Sequence, residues 1–130
     1  MPVKRVLCPE RLRRVPASFS WIDHRLVRDK HIRRCSAQAL ALYLFLVTVG
    51  DAEGLSYYSD RLLAGWVSLD EASLARSRRE LLEAKLVAYE RPLYQVLALD
   101  PQAVHMPERT PQAAPLPLGQ ILATMMEKRA

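Results

Sequence analysis

Residues 59–99 read SDRLLAGWVSLDEASLARSRRELLEAKLVAYERPLYQVLAL, and this stretch decides the fold. Ser59 can cap a first helix, because its hydroxyl can accept a hydrogen bond from a free N–H of the first turn. The apolar residues of that helix fall at i, i+1, i+4 and i+5, a spacing that predicts one buried face. They are Leu62, Leu63, Trp66 and Val67.

Residues 68–71 then have the composition of a capping box, in which Ser68 caps a second helix and Glu71 reaches back to it. A new helix is therefore predicted to begin where the first one ends, with a span of about 16 residues, roughly 24 Å. Its predicted buried stripe consists of Leu74, Leu81 and Ala84, flanked by Arg78 or Leu82. Its predicted solvent face holds Ser73, Arg76, Arg79, Glu80 and Glu83.

After Ala84 the apolar pattern changes from helical to alternating, which is typical of strands. One strand begins at Val87 and a second covers residues 93–99. Pro92 lies at the tip between them, where no hydrogen-bond donor of the ladder is needed. The sequence therefore predicts two helices followed by a hairpin.

The elements upstream complete the predicted domain. Ser36 can cap a helix that runs to about Val49 and is apolar around nearly its whole circumference, so we predict that it is buried on most sides. A turn containing Gly50 and Gly54 leads to a short strand, residues 55–58, that can pair with the hairpin. The predicted fold class is α+β, mainly helical with a small antiparallel sheet.

Residues 19–34 form an entry segment, read as an extended piece followed by one or two helical turns. Trp21 is predicted to anchor it in the core. A role in base stacking is disfavoured, since no second aromatic residue is spaced with Trp21 on a recognisable strand. Its basic side chains, expected on the outer side, are Arg25, Arg28, Lys30, Arg33 and Arg34.

The second half of the domain resembles bacterial winged helix-turn-helix domains, in which a Leu-Ala pair, an apolar-plus-Arg recognition helix and a Gly-Leu-Ile wing opening recur. The matching positions are Leu63, Ala64, Leu69, Leu74, Arg76, Leu81, Leu86 and Val87. The chain departs from that pattern at two residues. Ser68 replaces a Gly of the turn, and Lys85 replaces the left-handed Gly that usually ends the recognition helix, at a cost of about 1 kcal/mol.

The first half is similar to the N-terminal domain of plasmid and phage replication initiators, and to small winged-helix proteins of mobile elements. The positions that carry this likeness are Ser36, Ala39, Tyr43, Leu44 and Leu46. It covers about 80 residues and rests mainly on core positions. The resemblance implies a bacterial setting of DNA replication or DNA mobility.

Positive charge is concentrated at the N-terminus. The chain carries a net charge of +5, yet residues 1–34 hold ten Lys or Arg against three Asp or Glu, so the remainder is slightly acidic. Residues 1–18 contain three prolines and cannot form one helix, so we expect a flexible basic arm. Such an arm can neutralise phosphates or enter a minor groove, or it can be a solvated tail.

The C-terminal part reads as a linker and a helix. Residues 101–117 hold five prolines without an apolar period, which is typical of a stiff linker. Residues 118–130 place apolar side chains at i, i+3, i+4, i+7 and i+8, an amphipathic helix too short to be stable alone. They are Leu118, Ile121, Leu122, Met125 and Met126. Docking on its own domain, on a second copy as a homodimer, or on another protein partner all remain open.

Several functional classes are disfavoured. No apolar run reaches the length of a membrane span, and no signal peptide precedes the arm, so a cytoplasmic location is expected. Neither the cysteines nor the histidines have the spacing of a metal site, and no cofactor is expected; they are Cys8, Cys35, His24, His31 and His105. No catalytic constellation occurs, because the acidic pairs have the spacing of solvated helix charges. The chain is not expected to be an enzyme.

The favoured hypothesis is a protein that reads double-stranded DNA with its second helix in the major groove. The residues expected to face the groove are Ser73, Arg76, Ser77 and Arg79. Those expected to hold phosphates or enter a minor groove are Arg91 at the wing and Arg11, Arg13 and Arg14 in the arm. Regulation of transcription, or an accessory role in replication or transposition, would follow.

One observation weakens that hypothesis, because residues 70–85 carry equal numbers of basic and acidic side chains. The alternative is a winged-helix adaptor that recruits a protein through the C-terminal helix. Under either hypothesis the predicted organisation is an arm (1–18), a winged helix-turn-helix domain (19–100), a linker (101–117) and a terminal helix (118–130).

Overall fold

A computed structural model describes residues 2–99. The predicted linker and the predicted amphipathic helix, with all five of its apolar residues, lie outside the described residues. All elements described below belong to one compact unit, Met1–Val96.

The described residues contain four α-helices and one three-stranded antiparallel sheet, which confirms the predicted α+β class. In chain order the elements are a 3-10 turn at Pro9–Arg11, α1 (Arg25–Arg28), a 3-10 turn at His31–Arg34, α2 (Ala37–Val49), β1 (Leu55–Tyr57), α3 (Asp60–Val67), α4 (Glu71–Glu83), β2 (Val87–Glu90) and β3 (Leu93–Val96). The predicted entry segment with one or two helical turns is also confirmed.

The sheet has the order β1-β3-β2, so the last strand lies in the centre and pairs antiparallel with both others. The hairpin turns at Arg91 and Pro92 as predicted, although β3 ends at Val96 rather than at residue 99. Gly54 has a φ of 82° and packs so closely that a Cβ atom would lie 2.8 Å from the Val96 carbonyl oxygen. Glycine is therefore required where the chain enters β1.

The core lies between α2, α4 and the sheet. Its largest fully buried apolar side chains come from α2, α3, α4, β3 and the turn before β2: Leu42, Leu46, Leu63, Leu74, Leu81, Leu86 and Tyr94. The predicted stripe of the second helix is confirmed, since Leu74, Leu81 and Ala84 are all buried. Each buried leucine stabilises the fold by about 2 kcal/mol relative to exposure.

Helix α2 is less enclosed than its composition predicts. Ala39, Leu42, Tyr43 and Leu46 are buried, and four further apolar residues are half-buried, whereas Leu44 is 55% exposed. The predicted burial on most sides is therefore confirmed except along one strip of the helix that no neighbouring element covers. The apolar composition of that strip has no counterpart in the packing.

The beginning of α2 is capped twice. The Ser36 hydroxyl accepts a hydrogen bond from the Ala39 N–H at 3.1 Å, as predicted. The Ser36 N–H in turn donates to Glu80 Oε1 at 2.7 Å. Glu80 therefore joins α4 to the positive end of the α2 dipole, which corrects its interpretation as a solvated charge.

The junction of α3 and α4 differs from the predicted capping box. Ser59 caps α3 by accepting from the Leu62 N–H at 3.2 Å, as predicted. Ser68, however, lies in the left-handed region with a φ of 58° and ends α3, while α4 begins at Glu71 with Asp70 as its N-cap residue. The box is wrong because three residues are needed to turn the chain, so α4 has 13 residues rather than about 16.

Three aromatic or apolar residues predicted to be buried are exposed. Trp66 is 68% exposed and Leu62 is 56% exposed, so only Leu63 of α3 is fully buried. Trp66 instead lies 5.8 Å from the ring of Phe45 at the surface. Trp21 is 75% exposed and is not a core anchor. Helix α3 has only eight residues, and its neighbours α2 and α4 together enclose one of its side chains rather than all four of its predicted apolar face.

Candidate nucleic-acid interface

The exposed face of α4 presents two guanidinium groups one turn apart. Arg76 and Arg79 are both exposed. The helix that carries them begins at Glu71, shortly after the tight turn at Ser68. Arg76 Nη2 donates to Ser73 Oγ at 3.0 Å, which holds the guanidinium close to the beginning of the helix. The planar fork of arginine can recognise two acceptors at once, in a base edge or a phosphate.

Two of the four residues predicted to face a groove are buried. Ser77 is 1% exposed and Ser73 is 8% exposed, which corrects the placement of both on the outer face. Ser73, Ser77 and Leu81 form one row at a spacing of four, and Leu81 belongs to the core. That spacing is visible in the sequence and places both serines beside the buried stripe.

Arg78 is held inside the domain by three partners. Its Nη1 donates to Asp60 Oδ1 and to the Tyr94 hydroxyl, both at 2.8 Å. Its guanidinium carbon also lies 4.5 Å from the centre of the Tyr89 ring, a cation–π arrangement. Arg78 therefore ties α4 to the first turn of α3 and to both strands of the hairpin, and it fixes the angle between them.

The electrostatics of this cluster favour a charged Arg78 beside a neutral Tyr94. Burial is the largest influence on Tyr94 and raises its pKa to about 12, against the opposing effect of the Arg78 hydrogen bond. Burial is the largest single influence on Arg78 and lowers its pKa, but the hydrogen bonds and charges of Asp60 and Tyr94 together outweigh it and raise the pKa above its ordinary value. Sequence reasoning placed Arg78 beside the buried stripe and did not identify its partners, which are 16 and 18 residues away.

The other predicted phosphate contacts lie on the surface. Arg91 is exposed at the tip of the hairpin, and every described residue of the arm is exposed as well, including Arg11, Arg13 and Arg14. The only regular structure described within residues 2–20 is the 3-10 turn at Pro9–Arg11.

A second cationic surface lies on the entry segment. Its exposed side chains are Arg28, Lys30, Arg33 and Arg34. Leu26 and His31 are buried and hold the segment on the domain, and His31 Nδ1 pairs with Arg34 Nη2 at 2.5 Å. The hydrogen bond between Ser36 and Glu80 joins the end of this segment to α4. Sequence reasoning found these residues but left them outside the site, because it could not place the segment.

Other kinds of site have little support in residues 2–99. No group of three His, Cys, Asp or Glu residues in this part could hold a metal ion. Cys8 and Cys35 are free thiols, and burial raises the pKa of Cys35. None of the described helices is long and apolar enough to cross a membrane.

Comparisons of the chain with family models, with curated proteins and with solved structures find no match.

Proposed function

We propose that this chain is a winged helix-turn-helix protein that binds double-stranded DNA with α4 in the major groove. The single observation that carries the proposal is the exposed pair Arg76 and Arg79 on the second helix of a helix-turn-helix, followed by a hairpin. The function would be that of a bacterial cytoplasmic regulator, or of a replication or transposition accessory factor, without enzymatic activity.

The order of elements supports this proposal. Helix α2, strand β1, helices α3 and α4 and the β2–β3 hairpin follow one another as in a winged helix, and β1 pairs with β3 beside the hairpin. Helix α4 is about 20 Å long, which suits a major groove about 12 Å wide. The tip at Arg91 would then be the wing.

The distribution of charge also supports it once the internal contacts are considered. Arg78 and Glu80 of α4 are engaged within the domain, so the middle of the outer face is basic although the helix as a whole is neutral. Two arginines can supply base contacts but little non-specific affinity. The phosphate contacts would come from the entry segment, from Arg91 and from the arm.

The test is selection of a preferred duplex from a random pool by the full chain, followed by measurement of its Kd with two double variants. Arg76→Ala/Arg79→Ala should weaken binding to the selected site by about 30-fold or more, because each of the two bidentate contacts contributes about 1–3 kcal/mol. Arg76→Lys/Arg79→Lys is the matched control for charge. It should keep affinity for random duplex and lose the preference for the selected site.

If no sequence is enriched, or if the alanine variant retains both affinity and preference, the proposal is wrong.

One observation favours a second candidate, a winged-helix adaptor that binds a protein partner. Leu62, Trp66 and Leu44 are exposed, and Trp66 stacks loosely on Phe45, which in turn contacts Tyr58 edge-on at 5.2 Å. Exposed aromatic residues of this kind are enriched in protein interfaces. Under this candidate, Trp66→Ala should abolish recruitment of the partner while the arginine variants leave it unchanged.

A further inference from the structure

Two aromatic side chains stand in solvent where the arm meets the folded domain. Phe19 is 64% exposed and Trp21 is 75% exposed, and both precede the first helix α1. They are separated by one residue, Ser20. Phe19, two positions before Trp21, therefore supplies a second exposed ring in the same segment, although neither residue lies in a strand.

The residue between the rings is fixed to the domain. Ser20 Oγ donates to the Thr48 carbonyl oxygen at 3.2 Å. Thr48 lies in the last turn of α2, where carbonyl groups have no partner within the helix, so this hydrogen bond fills a position that the helix leaves open. The contact anchors the backbone at Ser20 while its two aromatic neighbours remain accessible.

The segments that precede and follow the two rings in the chain are cationic. Residues 2–18 carry five Lys or Arg against one Glu, all exposed, and Arg28 and Lys30 are exposed farther along the chain. Aromatic faces beside a cationic track are the chemistry that binds single-stranded nucleic acid, in which bases stack on the rings and the backbone is neutralised. A duplex keeps its base faces in its own stack and could not use the rings in this way.

We propose that Phe19 and Trp21 form a stacking platform for unpaired bases, and that the sugar-phosphate backbone of the same strand follows the basic arm. This interaction is independent of α4 and goes beyond duplex binding. The chain would then bind single-stranded nucleic acid at a site adjoining the domain that is proposed to bind the duplex.

The experiment uses the full chain carrying Trp66→Phe, so that Trp21 is the only tryptophan. Titration with a twenty-nucleotide oligothymidylate should quench its fluorescence in a saturable way. In anisotropy measurements with a labelled oligonucleotide, Phe19→Ala and Trp21→Ala should each raise the Kd by about 5- to 100-fold. Val27→Ala is the matched control, because Val27 is an equally exposed apolar residue on α1 and should leave the Kd unchanged.

Equal Kd values for the parent and both aromatic variants would overturn the proposal and leave the arm as a purely electrostatic contact. The proposal also fails if the fluorescence of Trp21 responds to protein concentration, or to vesicles of phosphatidylglycerol and phosphatidylcholine, but not to the oligonucleotide. Arg76→Ala/Arg79→Ala should retain the quenching. Loss of duplex selection in that variant is therefore distinguishable from failure of the platform.

Discussion

Arg78 and Arg79 are neighbours in the sequence and have different tasks in the structure. Arg78 bonds to Asp60 and Tyr94 inside the domain, whereas Arg79 is exposed. Arg78→Ala should lower the free energy of unfolding by about 2–3 kcal/mol, because it leaves a carboxylate and a phenol without their partner. Arg79→Ala, the matched control, should change it by less than about 0.5 kcal/mol. Urea denaturation of both variants checks this, and equal effects would contradict the assigned network.

Two non-glycine residues with positive φ mark the ends of α3 and α4. Ser68 has a φ of 58° and Lys85 a φ of 61°, and the hydrogen bond from the Leu86 N–H to the Leu81 oxygen at 3.1 Å is that of a Schellman motif. Lys85→Gly and Ser68→Gly should each raise the free energy of unfolding by about 0.5–1 kcal/mol, since relief of strain exceeds the entropy added to the unfolded chain.

Arg79→Gly, in the exposed middle of α4, is the control and should destabilise by about 1 kcal/mol. Thermal denaturation distinguishes the two signs. A destabilising Lys85→Gly would mean that the left-handed conformation at this residue is not strained.

Tyr94 makes stability depend on alkaline pH. Its pKa is raised from 10.0 to about 12 in the folded protein, so the unfolded chain loses this proton first as the pH rises. The stability contributed by the neutral phenol is complete below pH 10 and is lost as the pH rises toward 12. Urea denaturation between pH 9 and pH 12 should show a steeper loss for the parent chain than for Tyr94→Phe. Parallel curves would contradict the raised pKa.

Among the contacts between elements, one hydrogen bond joins α4, which carries the candidate interface, to the beginning of α2. Glu80 accepts from the Ser36 N–H at the beginning of α2. Glu80→Ala should lower the free energy of unfolding by about 1 kcal/mol, as does the loss of other helix caps. Glu83→Ala, an exposed residue of the same helix, is the control and should have little effect. The measurement is chemical denaturation of both variants, and equal stabilities would show that Glu80 is merely solvated.

The elements themselves could be predicted because their signals are local. The caps at Ser36 and Ser59, the turn at Pro92 and the stripe from Leu74 to Ala84 each follow from spacing within one or two turns of chain. The capping box at Ser68 was wrong because the same residue also suits a turn, and only packing of α3 against α4 decides between the two. Strand β3 was predicted too long for a similar reason, since its end depends on where β1 and β2 stop pairing.

The candidate site was harder to predict because exposure depends on distant neighbours. Tryptophan is a large apolar residue that is expected in a core, but no element covers Trp66 or Trp21. Serine is a small polar residue that is expected at the surface, but Ser77 is buried. Arg76 and Arg79 were placed on the outer face correctly, whereas the partners of Arg78 required the three-dimensional fold. Their proposed contacts with DNA stay a prediction.

At the scale of the whole molecule, affinity and selectivity would come from different parts of the chain. The arm and entry segment hold the excess positive charge, and α4 holds the groups that can read bases. Removal of residues 2–18 should therefore reduce the slope of log K against log salt for random duplex by about 0.9 per lost phosphate contact. Fluorescence anisotropy over a salt series checks this. An unchanged slope would show that the arm is a solvated tail.

Mapping the duplex-binding surface by NMR with the isotopically labelled full chain tests most directly whether α4 contacts DNA. On addition of a selected duplex, we predict the largest amide shifts in α4 near Arg76 and Arg79, with further shifts at Arg91. Shifts confined to the arm would show that the chain binds DNA only through non-specific electrostatic contacts. If α4 shows no shifts and the largest shifts occur around Trp66, the proposal is contradicted, because the duplex-binding surface would then lie on α3.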